Sequence, residues 1–83
     1  MFAAQMSDIQ EWLQRGSEKG ATHMIVAVDG FDHEDYPVYV MPGENANEIA
    51  EKYRQMEMQR VKEVYDISLD HQAQLDQRRA FNL

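Results

Sequence analysis

Thr22-His23-Met24-Ile25-Val26-Ala27-Val28 is the stretch whose reading decides the fold. Side chains alternate along a strand, so Thr22, Met24, Val26 and Val28 point one way and His23, Ile25 and Ala27 the other. Both sets are largely apolar, and a strand apolar on both faces has to be covered on both. The segment therefore reads as a central strand.

Upstream, Ser7 and Gln10 have the spacing of a capping box, which starts a first helix there. Met6, Ile9, Leu13 and Gly16 recur at helical spacing with Trp12 beside them. Gly16 and Gly20 weaken the far end, so the helix is expected to stop near Lys19. Downstream, Asp29 to Asp35 reads as a polar turn and Tyr36–Met41 as a second strand, paired with the first as an antiparallel hairpin. Pro37 cannot donate to a ladder, which confines it to an edge or a strand start. Pro42-Gly43 ends the hairpin. Asn45 with Glu48 caps a second helix striped by Ala46, Ile49, Ala50, Tyr53 and Met56.

Met58 to Leu69 reads as a third strand, with Val61, Tyr65, Ile67 and Leu69 on one face. Val61, Val64 and Tyr65 also have helical spacing, so over 58–67 an extension of the second helix stays open. Ser68 or Asp70 then caps a last helix to about Ala80, with Leu69, Ala73 and Ala80 as its seam. The expectation is an α+β fold of order αββαβα. Its three helices cover a three-stranded antiparallel or mixed sheet of order 2-1-3. The domain is single, over residues 1–83, and residues 1–5 read as a dispensable extension.

Composition limits function. The chain has 83 residues, 8 Lys and Arg against 15 Asp and Glu, and a formal charge of -7. Such a domain repels phosphates at long range, which excludes general nucleic-acid binding but not a local basic patch. There are no cysteines, so no disulfide and no thiolate metal site, which fits a reducing, cytoplasmic setting. No run reaches the ~18 apolar residues of a membrane span, and the N-terminus lacks the basic region of a signal peptide. A short chain rich in Met, Tyr and Phe has more apolar surface than a small core needs, so a homo-oligomer is expected.

No phosphate loop, dinucleotide fingerprint or nucleophile elbow is present. The acidic turn with Asp29, Asp32, His33, Glu34 and Asp35 offers oxygens for a cation, without the spacing of an EF-hand; cation binding there stays open. His23, His33 and His71 have no helical zinc spacing. With no nucleophile or acid–base pair, the expectation is a non-enzyme that needs no cofactor. Arg60 and Lys62 share a face of the third strand, and Arg78 and Arg79 fall in the last turn of the last helix. The latter pair either complements the helix dipole or forms a guanidinium fork for phosphate. Trp12, Tyr36 and Tyr39 offer rings on which a base can stack, or else serve the core or an oligomer interface, and Tyr65 lies near Arg60.

Ala21-Thr22-His23-Met24-Ile25-Val26, Phe31-Asp32 through Glu34-Asp35-Tyr36-Pro37-Val38-Tyr39-Val40, Met58-Gln59-Arg60-Val61 with Glu63-Val64-Tyr65-Asp66, and Arg79-Ala80-Phe81 resemble a family of small proteins carried by phages and prophages. The resemblance covers the chain from about Ile9 and implies a turn just before Met58. By analogy with phage proteins of this size, it implies an anti-defence protein of the host cytoplasm. One such class sequesters a cyclic-nucleotide or cyclic ADP-ribose-type immune signal between subunits. In that case Arg60, Lys62, Arg78 and Arg79 would meet phosphate, and Tyr36, Tyr65 and Trp12 the bases. The alternative is a protein-binding inhibitor or acidic DNA mimic that occupies a basic host defence enzyme.

Overall fold

The structure, a computed structural model, describes residues 5–77 and 80–83. Helix α1 spans Met6–Lys19, strand β1 His23–Asp29, strand β2 Glu34–Val40, helix α2 Ala46–Gln55, strand β3 Gln59–Asp66 and helix α3 His71–Leu75. The sheet is three-stranded in the order β2-β1-β3, and both pairings are antiparallel. The α+β architecture and the strand order are those the sequence led us to expect.

The alternation in β1 organises the two layers. Met24 and Val26 pack with Ile9, Leu13, Tyr65, Leu75 and Ala80 under α1 and α3. Ile25 packs with Val40, Ala46, Ala50 and Val64 under α2. Residues 24–27 have no exposed surface at all, as a central strand covered on both sides requires. Pro37 lies in β2, an edge strand, where its missing N–H breaks no inner ladder.

Several local readings need correction. Helix α1 is capped by Gln5, not Ser7: the Gln5 N–H donates to Asp8 Oδ2 at 2.9 Å. Gly16 does not weaken the helix so much as let it approach. A Cβ there would lie 2.7 Å from Ile67 Cδ1 and 2.8 Å from Tyr39 Cε1. Strand β2 begins at Glu34, so the connecting loop is only residues 30–33. The turn before β3 is present, with Met58 at φ 65, and the helix-extension reading falls.

Strand β3 carries a bulge. Val61 pairs with Ala27 and Glu63 with Val26, so Lys62 is the extra residue. One inserted residue reverses side-chain parity. Val61 therefore joins the α2 face while Tyr65 and Ile67 lie on the α1 face, although the spacing put all of them together. Leu69 is exposed beyond the strand.

The last helix is also shorter than its sequence pattern suggests. It ends at Leu75, with Asp70 as its cap. Ala73 faces solvent, whereas Ala80 is buried by an extended segment and not by a helix. In that segment Ala80 O accepts from Val64 N at 2.7 Å and Asn82 N donates to Val64 O at 3.0 Å, a short parallel pairing on the outer side of β3.

Candidate binding surface

Among the described residues, those expected to meet a nucleotide do not converge. Lys62 and Glu63 both turn to the α1 face at the bulge. Lys62 Nζ reaches across β1 to Asp35 Oδ2 at 3.1 Å, and the Asp35 side chain is only 5% exposed. Glu63 accepts the Tyr65 hydroxyl at 2.9 Å. Tyr65 is buried, so its ring offers no face to solvent. Burial, then the hydrogen bond and charge of Glu63, hold its phenol protonated far above the usual range.

Trp12 is half-buried against the α1-side core, and its carbonyl accepts the Tyr39 hydroxyl at 2.8 Å. Tyr36 lies on the other face, edge-on to Tyr53 with ring centroids 6.5 Å apart, and its hydroxyl bonds Gln59 Oε1. Burial, with Tyr53 and Asp29 nearby, raises its pKa. Arg60 pairs in register with Val28 and is exposed. Arg78 and Arg79 lie outside the described residues.

Polar side chains converge instead at the end of the sheet where β1 starts and β3 finishes, here called the base. His23 Nδ1 lies 3.0 Å from Thr22 Oγ1, and its Nε2 lies 3.7 Å from Asp66 Oδ2. Asp66 Oδ1 accepts from both the N–H and the hydroxyl of Ser68. Burial pushes the Asp66 pKa up, but the two Ser68 bonds and the adjacent His23 outweigh it and hold the carboxyl below its usual range.

Gln74, 2% exposed, completes the base. Its Oε1 accepts from Asp66 N and Asn82 Nδ2, each at 2.8 Å, and its Nε2 donates to Asp66 O and Asp70 O. This amide ties β3, α3 and the C-terminal segment together. Sequence reasoning missed it, because one glutamine in a polar helix carries no periodic signal.

The opposite end, the tip, combines the β1–β2 loop with the turn between α2 and β3. Gly30 N donates to Met58 O at 2.6 Å, and a Cβ on residue 30 would lie 3.0 Å from that same oxygen. A side chain there would crowd this approach. Asp29 Oδ1 accepts the Phe31 N–H at 2.9 Å, and Asp29 O accepts from His33 N at 2.6 Å. Two non-glycine residues with left-handed backbone, His33 (φ 59) and Met58 (φ 65), both lie here.

This ordered frame leaves apolar side chains in water: Phe31 is 78% exposed, Met58 53% and Met56 38%. An open depression along α2, lined by Glu48, Glu51, Lys52 and Gln55, runs up to Met56. Asp32, Glu34 and Glu57 are exposed in the same segments. Among the described residues, no three side chains of metal-ligating type converge, and no helix is long and apolar enough to cross a membrane.

Comparison with known proteins adds no identity: no family model, curated protein or solved structure matches the chain.

Proposed function

We propose that the protein is a non-enzymatic binding protein that occupies a basic protein partner, as expected of an acidic inhibitor directed at a host defence enzyme. The supporting observation is how its charges are used. Among the described residues Arg15, Arg54 and Lys62 pair with Glu11, Glu51 and Asp35, and Lys19 lies 4.8 Å over the Tyr39 ring. Asp32, Glu34, Glu48 and Glu57 are exposed with no described Lys or Arg paired to them. Of the described cations only Lys52 and Arg60 lack such a partner, so the acidic excess faces solvent, a field that speeds encounter with a basic surface. Affinity purification from bacterial lysate, followed by reconstitution with the purified partner, tests this. A basic protein retained at low salt and released at high salt is expected; a partner that is acidic, or salt-insensitive, contradicts it.

Arg60 favours a second reading, sequestration of a phosphate-bearing nucleotide signal by a homo-oligomer. It is exposed and has no ion-pair partner among the described residues. Thermal-shift screening against cyclic di- and trinucleotides and cyclic ADP-ribose isomers tests it, since a ligand of the native state raises the melting temperature. Arg60→Ala then weakens binding about ten- to a hundredfold, the worth of one charge-assisted hydrogen bond. A nucleotide that binds both proteins equally removes this reading.

A further inference from the structure

We infer that the tip, residues 30–34 with 56–59, is the docking surface for a basic partner segment that carries an apolar side chain between lysines or arginines. The inference rests on the protein-binding reading above and gives it a location and a partner chemistry.

The first argument is exposure. A single exposed apolar side chain is ordinary, but clustered ones mark an interaction surface. Phe31, Met58 and Met56 stand at one end of the molecule, and none belongs to either core cluster. The Gly30–Met58 hydrogen bond brings their two segments together.

Order is the second argument. The Phe31 N–H is held by Asp29 Oδ1 and the His33 N–H by Asp29 O, so the backbone that carries the exposed phenyl ring is fixed. A fixed backbone and an aromatic side chain with only two rotatable angles lose little conformational freedom on binding. The flanking methionines have flexible, polarizable side chains that adapt to the shape of what they meet.

Charge is the third. Asp32, Glu34 and Glu57 are exposed in the same two segments; against these three carboxylates stands one exposed cation, Arg60 beside Gln59, while Lys62 is paired to Asp35. An apolar centre with an acidic rim complements an apolar side chain flanked by cations. The same rim repels nucleic-acid phosphate.

The probes are three synthetic 15-residue peptides added to 15N-labelled protein. One alternates lysine and arginine with leucine and tryptophan, one replaces its apolar residues by serine, and one replaces its cations by glutamate. The first is expected to bind with shift changes centred on residues 30–34 and 56–59, and the other two to bind at least tenfold more weakly. Phe31→Ala is expected to weaken the first peptide more than tenfold, the loss of a central aromatic anchor. Phe31→Leu should restore part of that affinity.

Equal binding of the serine peptide overturns the apolar anchor. Shift changes centred on α1 or α3 overturn the location and leave the protein-binding reading intact. Absence of peptide binding overturns the tip assignment, and the wider reading then depends on whether a basic protein is retained at low salt. Loss of tip signals with rising protein concentration alone, relieved by Phe31→Ala, assigns the tip to a second copy of this chain. Tip signals broadened by zwitterionic vesicles assign it to a lipid surface. Either result overturns the proposal.

Discussion

The base and the tip of the sheet are built in opposite ways. At the base, His23, Asp66, Ser68, Gln74 and Asn82 form hydrogen bonds with one another or with nearby backbone and Thr22. At the tip the backbone is equally well ordered, but the side chains it carries point into water: Phe31 is 78% exposed. Polar residues are usually the first sought as functional. At the base they hold the protein together, while the tip leaves an aromatic ring and two methionines exposed beside carboxylates that no described Lys or Arg pairs. The base exposes Leu69 as well, but singly; at the tip Phe31 and Met58 lie on segments joined by a hydrogen bond.

The largest effect we expect comes from a substitution between the two ends. Val26→Asp places a carboxylate where the strand has no exposed surface. That costs several kcal/mol, comparable with the stability of a small domain. Circular dichroism should show loss of the cooperative melt; a melt like that of the wild type would mean that β1 is not the shared core of both ends.

Gln74→Ala attacks the base alone. It removes an amide that satisfies groups on Asp66, Asp70 and Asn82. The expected cost is about 1–3 kcal/mol in urea unfolding. Faster hydrogen exchange is expected at Asn82, whose amide bonds Val64 O, with the tip amides of Phe31 and His33 unchanged. Tip amides that exchange faster as well would show that the two ends are not separable.

Asp66→Asn gives a smaller effect whose sign depends on pH. The folded carboxyl is held below its usual range, so its contribution to stability is fully present above the unfolded pKa of about 4 and is lost as pH falls through the folded value. The difference in melting temperature between wild type and variant should therefore be constant near neutrality and shrink in acid. A difference that grows on acidification would contradict the hydrogen-bond assignment at Ser68.

The sequence shows the layers far better than the ends. Alternation in 22–28 and the caps and stripe of α2 are signals repeated over many residues, and they survive in the structure. Pro37 marks the edge strand for a reason that needs no neighbour. What could not be read depends on single residues. The bulge at Lys62 reverses parity in β3, and nothing in the local pattern announces it. The C-terminal segment abandons the helix because Val64 offers it an open strand edge, a contact distant in sequence.

The ligand residues named from the sequence suffered for the same reason. Lys62 and Tyr65 stand out in the sequence by charge and aromaticity, yet the bulge gives Lys62 to Asp35, and Tyr65 points into the core. The tip was legible only as an acidic turn. That Phe31 is held outward depends on Asp29 capping its N–H and on Gly30 meeting Met58, neither of which has a spacing signature.

The smallest expected effect on stability belongs to the most informative variant. Phe31→Ala should leave unfolding within about 0.5 kcal/mol of wild type, because an exposed ring contributes little to the fold. Leu69→Ala, 53% exposed beyond β3 at the base, is its counterpart. Calorimetric titration of the basic, apolar peptide into these two variants and the wild type separates the tip from the base as the place of binding. Phe31→Ala is expected to lose more than tenfold in affinity while Leu69→Ala binds as the wild type does. Equal affinity in both variants, or a loss confined to Leu69→Ala, would contradict it.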